Sequence, residues 1–219
     1  MPRLLVSVPL GLLALACCLP YASAQPLPAD TAACSMSGFS ISTDRKGTPV
    51  RAEPDAKAKI LGRLAPPQKA REVDKEDVPP SDEVWRTQFQ IIGFKEGWFL
   101  IENALHPYDD PGRRGVLGRR STGGVKTYTG RGWIALAHVG GKYTYYHRTM
   151  PMGALWEQPD ENAKRLPAKN SGDAPIQGGN QPKKILGCAG EWVKVESHDG
   201  VTGCWKGLCG EPIGDCGRQ

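Results

Sequence analysis

Apolar and polar residues alternate in the stretch EWVKVESHDGVTGCW, which begins at Glu191. Apolar residues at every second position are typical of a half-buried β-strand, and an Asp-Gly pair between two such runs indicates a tight hairpin. The stretch therefore predicts two antiparallel strands that are joined at Asp199-Gly200. If these two residues form the loop, Val195 lies opposite Cys204 on the neighbouring strand.

The same order of residue types occurs twice along the chain. The segments TPVRAEPDAKAKILG, from Thr48, and GALWEQPDENAKRLP, from Gly153, align at an offset of 105 residues. IIGFKEGWFLIE, from Ile91, and ILGCAGEWVKVE, from Ile185, align at an offset of 94 residues. Two blocks that match in the same order predict a duplicated module with a shortened connection in the second copy.

The first copy carries an insertion where the second has its Asp-Gly turn. Residues 103–130 separate GWFLIE from GRGWIALAHV, in which the strand pattern resumes. Hairpin tips tolerate insertions and often carry function. We therefore expect a long loop at the tip of a hairpin in the first copy.

Composition agrees with short strands joined by many turns. The 219 residues include 27 glycines and 19 prolines, and amphipathic helical patterns are hard to find. We expect an all-β fold.

Three of these motifs resemble the bacterial SH3-like (SH3b) domain family: PVRAEPDAKAKILGRL, GWFLIE and GRGWIALAHV. The chain is also similar to secreted tandem SH3-domain proteins of Gram-negative bacteria. The resemblance implies two small, partly open barrels in tandem, at residues 38–140 and 150–219, with residues 141–149 as the connector. The second copy departs from the family pattern at Trp156, where the family has Arg, and at Cys204, where it has Trp.

The first 24 residues are predicted to be a signal peptide. Arg3 precedes an apolar run, and Ala22-Ser23-Ala24 matches the small-residue pattern of a cleavage site. Cleavage after Ala24 would leave residues 25–37 as an N-terminal segment of a periplasmic or secreted protein. A lipoprotein modified at Cys17 is the alternative.

Five cysteines follow the predicted signal peptide, and in an oxidising compartment they are disulfide candidates. A tight turn between Cys209 and Cys216 favours their pairing. Cys34 could then pair with Cys188 and leave Cys204 free, whereas Cys188 with Cys209 is the rival pairing. No Cys-x-x-Cys occurs and the histidines stand apart, so we expect no metal site and no cofactor.

The insertion concentrates positive charge. It holds six basic residues against two aspartates in residues 106–131, while the whole chain has a net charge of +5. Paired arginines suit bidentate contacts with phosphate or carboxylate groups. The predicted ligand-binding arginines are Arg113, Arg114, Arg119 and Arg120, and the alternative is a solvated loop whose charges only aid solubility.

Aromatic residues divide into matched and unmatched positions. Trp98 and Trp192 are equivalent in the two copies, as are Trp133 and, shifted by one, Trp205, so we expect them to pack in cores. Unmatched aromatics are better candidates for a glycan or peptide platform. The unmatched residues are Trp85, Trp156, Tyr143, Tyr145 and Tyr146. Of these, Trp85, Trp156 and Tyr145 are predicted to bind the ligand.

The predicted function is non-catalytic binding of a cell-envelope ligand: a peptidoglycan peptide, a glycan or another anionic polymer. The alternative is a periplasmic adaptor whose arginines dock an acidic protein partner. A cell-wall hydrolase is the least favoured hypothesis, because the two modules leave no room for a catalytic domain and no hydrolase motif occurs. We expect neither a nucleic-acid partner nor a transmembrane segment in the mature chain.

Overall fold

The computed structural model describes residues 25–69, 84–106, 127–144, 155–166 and 181–210. Within these ranges the secondary structure is β-strand, apart from one 3-10 turn at Leu136–His138, so the predicted all-β class is confirmed. No helix among the described residues is long and apolar enough to cross a membrane.

The strands are numbered in chain order. They are β1 (Ala32–Ser40), β2 (Thr48–Arg51), β3 (Ile60–Leu64), β4 (Gln68–Lys69), β5 (Val84–Trp85), β6 (Gln88–Lys95), β7 (Trp98–Leu105), β8 (Gly132–Ala135), β9 (Val139–Gly140), β10 (Lys142–Tyr143), β11 (Leu155–Trp156), β12 (Arg165–Leu166), β13 (Lys184–Ala189), β14 (Trp192–Glu196), β15 (Thr202–Lys206) and β16 (Leu208–Cys209).

Two large sheets share one strand order. The first sheet runs β3-β2-β8-β7-β6-β1-β9, and the second runs β12-β11-β15-β14-β13. The first five strands of the first sheet therefore follow the same order as the five strands of the second. Neither sheet closes into a barrel within the described residues, where two further sheets are the two-stranded pairs β4-β5 and β10-β16.

The turn after the first strand of each repeat is built by matching hydrogen bonds. The Ala52 amide donates to the Lys59 carbonyl at 3.0 Å, and the equivalent Glu157 amide donates to Lys164 at 2.9 Å. In both turns the Pro-Asp carboxylate also accepts the amide two residues later, at 2.7 Å from Asp55 and 2.9 Å from Asp160. Asp stabilises such turns by mimicking a backbone acceptor, which explains why the pair occurs in both copies.

A β-bulge also recurs at the same place. The register of β6 against β7 shifts between Ile91 and Gly93, and that of β13 against β14 shifts between Ile185 and Gly187. Both pairs differ by the offset of 94 residues seen in the sequence. The two sheets thus share strand order, turn geometry and an irregularity of pairing.

The predicted hairpin between β14 and β15 exists, but the predicted register is wrong by one residue. Val195 lies opposite Gly203, and Cys204 lies opposite Lys194. The loop has three residues, His198 to Gly200, and is closed by the Ser197 amide donating to the Val201 carbonyl. Gly200 adopts a φ of 81°, which suits the glycine of a three-residue hairpin loop.

β1 joins the two sheets. It lies between β6 and β9 in the first sheet, while the Ser35 amide donates to the Gly190 carbonyl at 2.8 Å and the Gly190 amide donates to Ala33 at 2.7 Å. Cys34 forms a disulfide with Cys188 of β13. This is the pairing predicted for Cys188 from the sequence, and not its rival with Cys209. β1 therefore crosses the predicted boundary between residues 37 and 38.

Each sheet has a bulge glycine against which a preceding segment packs. A Cβ placed on Gly93 would lie 2.6 Å from the Cγ2 atom of Thr31, in the N-terminal segment. A Cβ placed on Gly187 would lie 3.0 Å from the ring of Phe94, in the first sheet. A side chain at Gly93 would overlap Thr31, and one at Gly187 would press on the ring of Phe94, so both glycines let another part of the chain approach closely.

Buried side chains from both sheets form a single hydrophobic cluster, which includes Val50, Ile101 and Ile134 of the first sheet and Val193 and Val195 of the second. The alternation in β14 explains its share of this core. Val193 and Val195 are fully buried, whereas Lys194 between them is exposed.

Loss of the Cys34–Cys188 disulfide is expected to destabilise the protein. The bond joins residues 154 positions apart, so replacing both cysteines by serine should lower the free energy of unfolding by about 2–4 kcal/mol. Urea unfolding measures this change. Cys204→Ser is the matched control, because this variant keeps the disulfide and should still be destabilised by reductant. An unchanged urea midpoint in the double variant would contradict the role of the bond.

Candidate functional site

Four aromatic side chains form a continuous cluster: three belong to strands of the second sheet, and the fourth belongs to β10, within the predicted connector. The ring centroid of Trp156 lies 5.5 Å from that of Trp192 and 5.8 Å from that of Trp205. Tyr143 extends the cluster, with its centroid 5.0 Å from that of Trp205. The three contacts have an edge-to-face geometry, which aromatic quadrupoles favour.

Strand pairing explains how these residues meet. Trp156 ends β11 and lies opposite Cys204 of β15, so the small cysteine leaves space beside the large indole. Trp205 follows in β15 and lies opposite Val193. Tyr143 reaches the cluster because β10 pairs with β16, which follows β15 along the chain.

The cluster contains two buried polar atoms that have no hydrogen-bond partner among the described residues. They are the Tyr143 hydroxyl and the indole nitrogen of Trp205. Tyr143 is 4 % exposed and Trp205 is 7 % exposed. A buried donor without an acceptor costs free energy, so such atoms call for an explanation such as an ordered water or a ligand.

Charged side chains surround the exposed side of the cluster. The guanidinium carbon of Arg165 lies 5.6 Å from the ring centroid of Trp156, a cation–π distance. Lys206 forms ion pairs with Glu161 and Glu191, two exposed carboxylates. The edge of the cluster therefore presents both signs of charge next to the half-buried ring of Trp192.

Asp199 contributes to the electrostatics at the other end of the cluster. Burial, and secondarily the negative charge of Asp199, raises the pKa of the Tyr143 hydroxyl. Tyr143 therefore stays protonated and remains a hydrogen-bond donor at neutral pH. Asp199 itself accepts a hydrogen bond from the hydroxyl of Ser197 in the hairpin loop.

Trp156 donates a hydrogen bond into the turn that follows its strand, as Arg51 does in the first sheet. The Arg51 guanidinium donates to the Ala58 carbonyl at 2.7 Å, inside the turn that follows β2. The Trp156 indole donates to the Glu161 carbonyl at 3.3 Å, inside the equivalent turn. Trp156 is only 2 % exposed, so a ligand would meet its neighbours Trp192 and Arg165 first.

The other predicted site residues are distributed differently. Trp85 is half-buried in β5, away from the second sheet in the strand order. Cys209 is disulfide-bonded. The remaining predicted site residues lie outside the described ranges: Arg113, Arg114, Arg119, Arg120, Tyr145 and Cys216.

Sequence reasoning assigned Trp192 and Trp205 to cores, and it counted Tyr143 among the unmatched aromatics without naming it as a predicted ligand-binding residue. The predicted equivalence already shifts Trp205 by one residue from Trp133, and the strand pairing agrees with this shift. Trp133 lies opposite Arg51 just as Cys204, the residue before Trp205, lies opposite Trp156. That correct alignment makes Trp205 an additional aromatic. It was the signal that could have identified the cluster.

Cys204 is a free, buried thiol beside this cluster. Burial raises its pKa, while the charge of Lys194 opposes the shift. The thiol is therefore a poor nucleophile at neutral pH, because the thiolate is the reactive form. No group of His, Cys, Asp or Glu side chains in the described ranges could hold a metal ion.

Substituting Tyr143 by phenylalanine is expected to remove part of the alkaline destabilisation. Since folding raises the pKa of the hydroxyl, its contribution is complete below the unfolded value of about 10 and decreases as the pH rises further. Thermal unfolding between neutral pH and alkaline pH measures the effect. The variant should match or exceed the wild type at neutral pH, because the hydroxyl lacks a partner. Parallel pH curves for the two proteins would contradict this assignment.

Comparison with known proteins adds no relative. No protein-family model matches the chain, no curated protein matches it, and no solved structure matches it.

Proposed function

We propose that the protein is an exported, non-catalytic binding protein of the cell envelope, built from two SH3-like modules in tandem. The shared strand order, the matched turns and the recurrent bulge support the duplication. The predicted signal peptide and the disulfide between Cys34 and Cys188 support an oxidising compartment. The ligand is a glycan or peptide of the envelope.

The aromatic cluster of the second sheet is the observation that carries this proposal. Ligand sites combine aromatic walls with a small number of polar groups that fix orientation. Trp192 supplies a half-buried aromatic surface in contact with the ring of Trp156, and the Arg165 guanidinium lies over that same ring of Trp156. At the equivalent position of the first sheet, Arg51 stands in place of the tryptophan and lies opposite Trp133.

The polar groups favour a ligand rich in hydroxyl or amide groups. The Tyr143 hydroxyl and the Trp205 indole are donors without partners in the described part of the chain, and Asp199 places a carboxylate near Tyr143. A ligand hydroxyl accepts from one donor and can donate to a carboxylate at the same time. Glycan hydroxyls and peptide amides both have this dual character.

The arginine-rich insertion supplies a second contact in this proposal. Arg113, Arg114, Arg119 and Arg120 suit the phosphate or carboxylate groups of an envelope polymer. Their contribution would be electrostatic and therefore sensitive to salt, whereas contacts at the aromatic cluster would resist moderate salt. The two contributions can be separated by experiment.

Co-sedimentation with purified sacculi tests the proposal. We expect the mature protein to bind and Trp192→Ala to weaken binding by about tenfold or more, as for a central aromatic contact. Trp98→Ala is the matched control, since Trp98 holds the same position in the β6–β7 hairpin of the first sheet and lies outside the cluster. Circular dichroism and thermal unfolding establish that both variants are folded.

The outcomes separate the hypotheses. A variant with alanine at Arg113, Arg114, Arg119 and Arg120 should bind more weakly at low salt only. Equal losses for Trp98→Ala and Trp192→Ala would remove the aromatic cluster from the site. Absence of binding by the wild-type protein would reject the envelope ligand and favour an acidic protein partner, which capture of periplasmic proteins on the arginine-containing chain would detect.

A further inference from the structure

The segment that precedes β1 is attached to the first sheet by side chains. Arg131 donates from Nη1 to the Gln25 carbonyl at 2.8 Å and from Nη2 to the Pro26 carbonyl at 3.2 Å. The Lys95 ammonium donates to the Ala29 carbonyl at 3.4 Å. Together with the packing of Thr31 on Gly93, these contacts fix residues 25–31 along the sheet.

Signal cleavage after Ala24 would make Gln25 the first residue of the mature chain, and this step rests on the export proposed above. The side chain of Gln25 is exposed, so neither its carboxamide nor the new α-amine is enclosed by the fold. An N-terminal glutamine holds an amine and a carboxamide at the spacing of a five-membered ring. Residue 25 is therefore a candidate for covalent modification.

We propose that Gln25 cyclises to pyroglutamate in the exported protein. The unprotonated α-amine nitrogen attacks the side-chain amide carbon Cδ, a new C–N bond closes the lactam, and the original C–N bond breaks. The nitrogen of the carboxamide leaves as ammonia, which takes up the proton lost by the amine. No oxidant, reductant or cofactor is needed.

The contact with Arg131 gives this reaction a structural consequence. A free α-ammonium on Gln25 would place a positive charge one residue's length from the Arg131 guanidinium, and like charges repel. Cyclisation removes the charge and leaves the backbone carbonyl of residue 25 available as the acceptor. Both hydrogen bonds from Arg131 are therefore compatible with the lactam, and the charge repulsion is absent.

Intact mass spectrometry of the exported protein, after its disulfides are reduced and without proteolytic digestion, tests the proposal. We expect the mass of a chain that starts at residue 25, lowered by the mass of one ammonia. Gln25→Ala is the matched control: its mass should correspond to a chain that starts at the same residue without this loss. The intact mass is decisive, because glutamine at the end of a peptide can also cyclise during proteolytic digestion.

Two results would overturn the proposal. One is an open Gln25 end that persists after prolonged incubation of the purified protein, and the other is an N-terminus at a different residue. The second result would also count against the export signal as predicted, but it leaves sacculus binding untouched. Failure of this inference and failure of the binding function are thus distinguishable.

Thermal unfolding tests the partnership with Arg131. The cyclised chain should unfold about 1–3 °C above Gln25→Ala, a shift expected for the loss of one surface charge repulsion. In an Arg131→Ala background this difference should vanish, because the guanidinium that repels the ammonium is gone. An equal difference in both backgrounds would show that Arg131 has no part in seating the cyclised end.

Discussion

The pairing of β1 is the constraint on which the arrangement of the two sheets depends. This strand pairs with β6 along its length. Near its start, Ala33 and Ser35 exchange two backbone hydrogen bonds with Gly190, in the β13–β14 hairpin of the second sheet. The disulfide from Cys34 then makes the connection covalent. The hydrophobic cluster contains side chains of both sheets, so a strand that holds the two sheets together also holds the two halves of this core in contact.

The two repeats diverge most clearly at one cross-strand pair. In the first sheet Arg51 lies opposite Trp133, and in the second Trp156 lies opposite Cys204. The bulky indole has moved from one strand to its neighbour, so the space between the strands remains filled. The Trp156 indole also donates a hydrogen bond into the turn, as Arg51 does in the first sheet, and its ring packs on Trp192 and Trp205 in the aromatic cluster.

Much of the fold could be predicted because it depends on local patterns. Alternation of apolar residues identified the strands, and the Pro-Asp turns revealed the repeat. The register of the β14–β15 hairpin could not be read from the same pattern. Ser197 accepts the Val201 amide with its hydroxyl and donates its own backbone amide to Val201, which favours a three-residue loop over the Asp-Gly turn.

The candidate site was less predictable for a different physical reason. Tyr143 belongs to a two-residue strand, too short to give a periodic signal, and its partner strand β16 lies more than 60 positions later in the chain. Trp192 belongs to the candidate site because of its position in space, not because it is a tryptophan. Trp98 has the same place in the repeat, and the contact with Trp156 distinguishes Trp192 from it.

The glycines at the two bulges show where a preceding part of the chain packs on each sheet. Gly93 receives Thr31 of the N-terminal segment, and Gly187 receives Phe94 of the preceding sheet. Each unit thus offers an equivalent docking position to whatever comes before it in the chain, as in stacked repeat proteins. Thr31 holds on the first sheet the position that Phe94 holds on the second, so a further sheet could pack against Gly93 only by displacing this segment.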